Sequence, residues 1–408
     1  MTDLDKTSTQ DLTDVMTEAA ETVNRQQIKQ SWKRMIKSVL TSVWFWLLML
    51  LPAGLLLREV CRQNTGFAEF YWRYIYRYLS VFWNNVTGVL PFSIGEFLLL
   101  LTCAGLLVYL ISVTVGVIRH KGKRLKTLLK GILRLMGTAS AVFFLYITNC
   151  GLNYYCPDFM TLQNWSFEAP DKEELYELCV YLSDNASLHR KKLPETPEGT
   201  VAADIRETAE KAKNAVNALH GEYECIFDGY SNPKSVLLSE GMSWLNISGV
   251  YFPWTFEANV NTDFRGYQMA FTMCHELSHV RGFMHEEDAN FIAYLACISC
   301  EDDLMAYSGY AYALRYVSGY LYRTDEELYR DCLKHLDEGV LRDMAAESLY
   351  WKKYETPVAE AAVRINNSYL KTNNQAQGVR SYSKMAELVI EHYRRHIRSE
   401  MSANQQAD

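Results

Sequence analysis

His275-Glu276-Leu277-Ser278-His279-Val280-Arg281-Gly282-Phe283-Met284-His285-Glu286-Glu287-Asp288-Ala289-Asn290 is the stretch on which the reading of this chain turns. Its first five residues form an H-E-x-x-H motif. Residues i and i+4 share one face of a helix, so the imidazoles of His275 and His279 can bind one zinc ion. Glu276 stands next to the first ligand, where a carboxylate can take a proton from an attacking water. The residues before the motif (Tyr267, Met269, Ala270, Phe271, Met273, Cys274) suit a buried helix, predicted over Tyr267–Val280. Gly282 suits a left-handed cap at its end.

A site with two histidines needs a third ligand, and two neighbours compete. His285 completes H-E-x-x-H-x-x-G-x-x-H, the metzincin spacing, but no convincing methionine turn follows. Glu286 opens Glu286-Glu287-Asp288-Ala289-Asn290 at the entrance of the next apolar helix, predicted over Asp288–Ser299. Glu286 is the expected ligand, with Asn290 one turn later accepting the N–H of a liganding histidine. Two His, a carboxylate and an open position suit zinc, although manganese or cobalt accept the same donors.

Outward from the motif, the composition is uneven. Of the 408 residues 49% are hydrophobic, and in the first 150 positions these are bunched into long runs. Three runs meet the length of a bilayer span: 39–57, 97–118 and 131–150. The first follows a polar leader (1–38) and lacks a small-residue cleavage pattern, so a signal peptide is not expected. Arg25, Lys29, Lys33, Arg34 and Lys37 precede the first run. Arg119, Lys121, Lys123, Arg124, Lys126 and Lys130 fill the short loop after the second. Both clusters are expected on the cytoplasmic side, which sends everything after Cys150 outside. The connection from Arg58 to Glu96 is rich in Phe, Tyr and Trp and reads as an amphipathic helix at the outer interface. A formal net charge of -7, with no basic stripe elsewhere, argues against nucleic acid as a partner.

From 151 to 398 the chain reads as a globular, mostly helical α+β domain, followed by a polar tail (399–408). Helices are expected over Glu173–Leu182 and Ala202–Leu219. Short strands are expected at Val236–Leu238, Trp244–Ile247 and Val250–Phe252. The ten cysteines show one close pair, Cys297 and Cys300, in an apolar helical stretch that suits buried thiols better than a redox or zinc motif. His392 and His396 stand at i and i+4 without an acidic neighbour and read as a solvated face.

The segment from His275 to Cys297, with Thr87–Gly95, Gly151–Tyr155, Tyr369–Lys371 and Gly378–Val379, resembles a bacterial membrane-protein family catalogued as a domain of unknown function and regarded as zincin-like. The family usually reads Glu-Asp-Glu-Ala-Asn where this chain has Glu286-Glu287-Asp288-Ala289-Asn290. The resemblance implies three spans and a peptidase-like domain, and it supplies no substrate. In zincins an edge strand beside the motif helix pairs with the substrate backbone, and Gly249–Trp254 is the candidate. Tyr369, Lys371 and Tyr382 are candidates for stabilising the oxyanion.

The expectation is therefore a three-span protein with a zinc-dependent peptidase domain acting on a peptide or protein substrate. Its rivals are a zinc-stabilised sensor without turnover and a zinc hydrolase acting on another envelope component. An intramembrane protease is disfavoured, because the motif helix carries His275, Glu276, His279 and Arg281 and lies in no run of 18 apolar residues.

Overall fold

The structure is a computed structural model and describes residues 22, 24–27, 29–30, 32–34, 37–38, 40–373, 375 and 382–398, the side chains of 382 and 383 excepted. The expected tail 399–408, the pair Gly378–Val379, most of 1–38 and the side chain of Tyr382 lie outside the described residues. The described chain is mostly helical. Among the described residues, three helical stretches are long and apolar enough to cross a membrane: Val43–Gln63, Ile94–Arg119 and Lys121–Tyr155.

The chain divides into two compact units, Met1–Leu55 with Val108–Phe144, and Leu56–Leu107 with Leu145–Asp408. In the first, Tyr109 Oη donates to the Gly131 carbonyl at 2.8 Å and Ser140 Oγ to the Leu48 carbonyl at 3.1 Å. Small residues there let a side-chain hydroxyl of one helix reach a backbone carbonyl of its neighbour.

The second unit holds the H-E-x-x-H motif. Its first elements are a helix over Thr65–Tyr71, a π-helical turn over Trp72–Tyr76 and α1 (Arg77–Gly88). The expected amphipathic helix is present, but one face of it is core. Ala68, Trp72, Tyr76, Ser80, Asn84 and Thr87, spaced three to four apart, are buried, while Phe70, Tyr74, Tyr78 and Phe82 are exposed. Next comes α2 (Ile94–Arg119), whose first turn is capped by Ser93 Oγ, accepting from Glu96 N at 3.0 Å.

Three short strands form one sheet in the order β1 (Lys234–Ser235), β3 (Glu257–Val260), β2 (Gly249–Phe252). β1 runs parallel and β2 antiparallel to the central β3. The strand expected at Trp244–Ile247 is not there. Ser239–Trp244 is a helix and Asn246 turns the chain at φ 56°. The serines explain it: Ser239 Oγ donates to Val236 O and Ser243 Oγ to Ser239 O, local bonds that compete with a ladder. Leu237 and Leu238 leave the sheet after β1, with Val236 N still reaching Val260 O.

The sheet packs on α3 (Gln268–Val280), which is followed by α4 (Glu286–Ile298), α5 (Asp303–Thr324) and, further on, α6 (Pro357–Thr372). The two expected helices upstream are found at Lys172–Arg190 and Ile205–Ala218, capped by Asp171 and Asp204. Cys297 is buried with its Sγ 3.9 Å from Cys274 Sγ, Cys300 is half-buried, and all ten cysteines are free thiols. His392, expected on a solvated face, is instead buried against Phe291 and Tyr294.

Candidate metal centre

α3 places His275 and His279 on one face, as the i, i+4 spacing requires. The helix then stops within two residues. Gly282, at φ 95°, makes the left-handed turn, and there is no room for a side chain: a Cβ would lie 2.6 Å from Trp72 Nε1. The carbonyls freed at this end are claimed from outside. Tyr76 Oη and Ser80 Oγ donate to Val280 O (3.0 and 2.6 Å), and Trp72 Nε1 donates to Arg281 O (2.8 Å). Buried Arg281 locks the turn from below, donating to Phe227 O and Leu277 O and covering Tyr230.

The sharp turn brings the start of α4 back over α3. Glu286 Oε2 lies 3.3 Å from His275 Nε2 and Glu286 Oε1 lies 3.8 Å from His279 Nε2. One ligand atom from each of the three lies within 4.8 Å of the others. His285 is not part of this group. It is the residue before the first turn of α4, with its ring edge-on to Tyr154 at 6.0 Å. Asn290 stands one turn beyond Glu286 beside His275 and favours the protonated ring, though His275 Nδ1 makes no hydrogen bond of full geometry.

These donors fit a divalent metal. Metal–nitrogen bonds of about 2.0–2.1 Å in a tetrahedral site set ligand atoms about 3.3 Å apart, close to the two separations seen. His279 Nδ1 faces the Phe283 carbonyl at 2.7 Å, a contact that puts the proton on Nδ1 and leaves the Nε2 lone pair directed at Glu286. Burial lowers the His279 pKa to about 4, which keeps the ring neutral as a ligand must be. Burial opposes ionisation of Glu286, but the His275 hydrogen bond and the two imidazoles outweigh it and hold the carboxyl at about 2. For His275 burial opposes charge, and the Glu286 carboxylate reverses the balance, so its pKa moves up.

Glu276 lies against Gly249 of β2 and interacts with the charges of His275 and Glu286. Burial pushes its carboxyl up to about 8, against the charge of His275, and Oε2 has no partner. The Tyr251 backbone bond lowers the carboxyl's pKa but does not outweigh burial, and a carboxyl with a raised pKa and one free oxygen suits a general base. β2 is an edge strand, and it presses directly on that carboxylate. A Cβ at Gly249 would lie 2.6 Å from Glu276 Cγ, so only glycine fits.

A cavity of about 230 Å³ opens beside the trio, lined by Ser248, Phe271, Thr272, His275, Glu286, Asn290, Tyr312, Tyr316, Asn366 and Leu370. Phe271 and Tyr312 stack at 4.2 Å to form one wall. Of the oxyanion candidates, Tyr369 is not on this wall. Its hydroxyl meets Cys150 Sγ and Tyr154 Oη, while its neighbours Asn366 and Leu370 reach the cavity. Lys371 is exposed at the end of α6.

Sequence reasoning did not find the support beneath the sheet. Lys234 and Glu257 form a buried pair at 2.5 Å, and the Glu257 carboxylate also accepts from Ile94 N (3.0 Å), Gly95 N (2.7 Å) and Thr255 Oγ1 (2.7 Å). A strand residue thus neutralises the N-terminus of α2. The available signal was Ser93-x-x-Glu96 before an apolar run, a capping-box pattern whose Glu here reaches Leu237 N and Leu238 N instead.

Neither the curated proteins nor the solved structures contain a match to the chain. A family model does match it, over residues 71–390, which takes in the capping helix, the sheet and all three clustered residues. The chain belongs to the family described as protein of unknown function (DUF3810).

Proposed function

We infer that the protein is a membrane-anchored zinc metallopeptidase. The observation that carries this reading is the convergence of His275, His279 and Glu286 next to a buried Glu276, whose Oε2 has no hydrogen bond and which faces an edge strand. His275, His279 and Glu286 would hold the zinc, whose contribution is to acidify water and polarise a carbonyl. Glu276 would take the proton of the attacking water and deliver it to the leaving amine. The free edge of β2 offers backbone donors and acceptors to an extended peptide. Zincin-like character, the three-span anchorage over 39–150, a peptidase domain over 151–398 and its position outside the membrane belong to the same proposal. The basic clusters flanking the first two spans support that orientation.

The test is zinc content of the purified full-length protein, with hydrolysis of a quenched fluorescent peptide pool measured in parallel. The expected result is near-stoichiometric zinc that is lost in Glu286→Gln and kept in His285→Ala. Glu276→Gln should keep zinc and lose hydrolysis. Zinc lost only in His285→Ala would move the third ligand. Folded protein without zinc would overturn the reading. Zinc without hydrolysis of any peptide would leave a binding protein or a hydrolase of another bond.

A further inference from the structure

The sheet that flanks the metal centre is hydrogen-bonded to the ends of two apolar spans. At one end, Glu257 of β3 accepts from Ile94 N and Gly95 N, the first backbone groups of α2. Glu96, in the first turn of α2, accepts from Leu237 N and Leu238 N at 2.9 and 2.8 Å. No Asp, Glu, Lys or Arg follows in α2 until Arg119, so the bilayer boundary falls in this first turn. At the other end, Asn149, in the last turns of the third span, donates through Nδ2 to Pro253 O at 3.0 Å. It also accepts at its carbonyl from Tyr251 Oη at 3.0 Å. Tyr251 and Pro253 belong to β2 and the turn after it, so the edge strand is tied to the membrane end of the third span.

The side chains around these ties are apolar and uncovered. Leu237 is 72% and Leu238 56% exposed, and Trp244, Leu245 and Val250 follow at more than 40% each. Phe70, Tyr74, Tyr78 and Phe82 add an aromatic row on the outer face of the 65–88 helix, whose inner face caps α3. Leucines bonded to the first turn of an apolar span, like aromatic rows, are stable at the headgroup level and unfavourable in water. Two spans anchor them there, which selects lipid over a protein partner as the occupant of this surface.

We propose that the Leu237–Leu245 segment and the outer face of 65–88 form one lipid-docking surface, which holds the β2 edge and the metal centre against the bilayer. Resting on the peptidase reading, the substrate class is a polypeptide held at the membrane, entering along β2 as it leaves the lipid. A freely diffusing peptide would lack that guidance. The surface itself does not depend on hydrolysis.

The test uses full-length protein in phosphatidylcholine–phosphatidylglycerol nanodiscs, in a Cys103→Ser background that removes the exposed thiol. A nitroxide is placed singly at Leu237→Cys, Tyr78→Cys, Val250→Cys and, as a reference on the exposed face of Lys172–Arg190, Leu188→Cys. Labels at 237 and 78 should collide with oxygen and be shielded from a water-soluble nickel chelate by fivefold or more relative to 188. The label at 250 should fall between them. A label at 237 or 78 as accessible to nickel as that at 188 overturns the docking surface, and the same result at 250 alone overturns the placement of the edge. In a second arm, a quenched peptide pool is supplied with and without a palmitoyl anchor. Wild type should cleave the anchored pool at least tenfold faster, and equal rates overturn the substrate class. If neither pool is cut while the labels are shielded, the peptidase reading and the substrate class fail and the docking surface stands.

Discussion

Removing either member of the Lys234–Glu257 pair should destabilise the second unit, and by unequal amounts. Lys234 and Glu257 are 6% and 1% exposed, so whichever charge is left behind is stranded in the interior. Breaking such a pair typically costs about 3–5 kcal/mol, most of it the unpaired survivor. The survivors differ. In Lys234→Met the Glu257 carboxylate keeps the Ile94 and Gly95 N–H groups, the Thr255 hydroxyl and the positive end of α2. These offset part of the loss and bring it to about 2 kcal/mol. In Glu257→Ala the Lys234 ammonium keeps only the Thr87 and Phe92 carbonyls, and two helix N–H groups lose their acceptor. That loss is about 4 kcal/mol or more. At about 2 °C per kcal/mol for a unit of this size, thermal unfolding of the purified protein in one detergent should fall by about 4 °C in Lys234→Met and about 8 °C in Glu257→Ala. Equal shifts, the reverse order, or a Glu257→Ala shift under 2 °C would refute the claim that the carboxylate is the hub joining β3 to α2.

Other substitutions probe the site and its supports. Gly249→Ala introduces a Cβ 2.6 Å from Glu276 Cγ and must displace that carboxylate by about 1 Å; turnover of the peptide pool should fall about 100-fold with zinc content unchanged, and wild-type turnover would refute the contact. Gly282→Ala combines a φ of 95° with a Cβ 2.6 Å from Trp72 Nε1, so the melting temperature should drop by the equivalent of about 2–4 kcal/mol. His392 supplies the pH dependence. Burial first, then the charge of His396, depresses its pKa to about 3, so between pH 6.5 and 3 the unfolded chain binds a proton that the folded chain refuses. Stability present above about pH 6.5 is lost as pH falls toward 3, by about 2 kcal/mol at pH 5. His392→Gln should lessen the fall in melting temperature between pH 7 and pH 5 by about 4 °C, and an unchanged fall would exclude this residue as its source.

The parts of this protein that were legible in the sequence are those where one local rule decides. The i, i+4 spacing of His275 and His279, the glycine after the helix and the carboxylate opening the next one are all local, and the structure brings His275, His279 and Glu286 together as their spacing indicated. The apolar runs were legible for the same reason, since length and absence of charge are read directly from the chain. What stayed hidden was decided at a distance. Trp72, Tyr76 and Ser80 reach carbonyls 200 or more residues away, so their burial could not be told from the exposure of Phe70, Tyr74 and Tyr78 in the same aromatic run. Only the helical phase separates the two sets, and fixing that phase requires knowing which face meets α3. The misplaced strand at Trp244–Ile247 has a similar origin: its β-forming side chains are apolar because the segment is uncovered in this unit, not because it lies inside a sheet.

The exposed 237–245 segment is linked to the candidate site through the start of α2 and the sheet. Apolar β-forming residues outside a span are ordinarily the mark of a strand, and Val236–Leu238 and Trp244–Ile247 carry that pattern. In the fold Leu237, Leu238, Trp244 and Leu245 are among the most exposed residues of the second unit, and each step from them to the metal centre is a hydrogen bond or a direct contact: Leu238 N to Glu96, the start of α2 to Glu257, β3 to β2, and Gly249 of β2 to Glu276. The start of α2 and the 145–155 end of the third apolar stretch are therefore part of the frame that holds the sheet. A soluble fragment beginning at 151 would lack the Glu96 carboxylate that holds Leu237 and Leu238, the α2 N–H groups that share Glu257, and the Trp72, Tyr76 and Ser80 side chains that close α3. It would expose the Val280 and Arg281 carbonyls and leave the Lys234–Glu257 pair half-supported, so tests of metal binding and hydrolysis should use the whole chain.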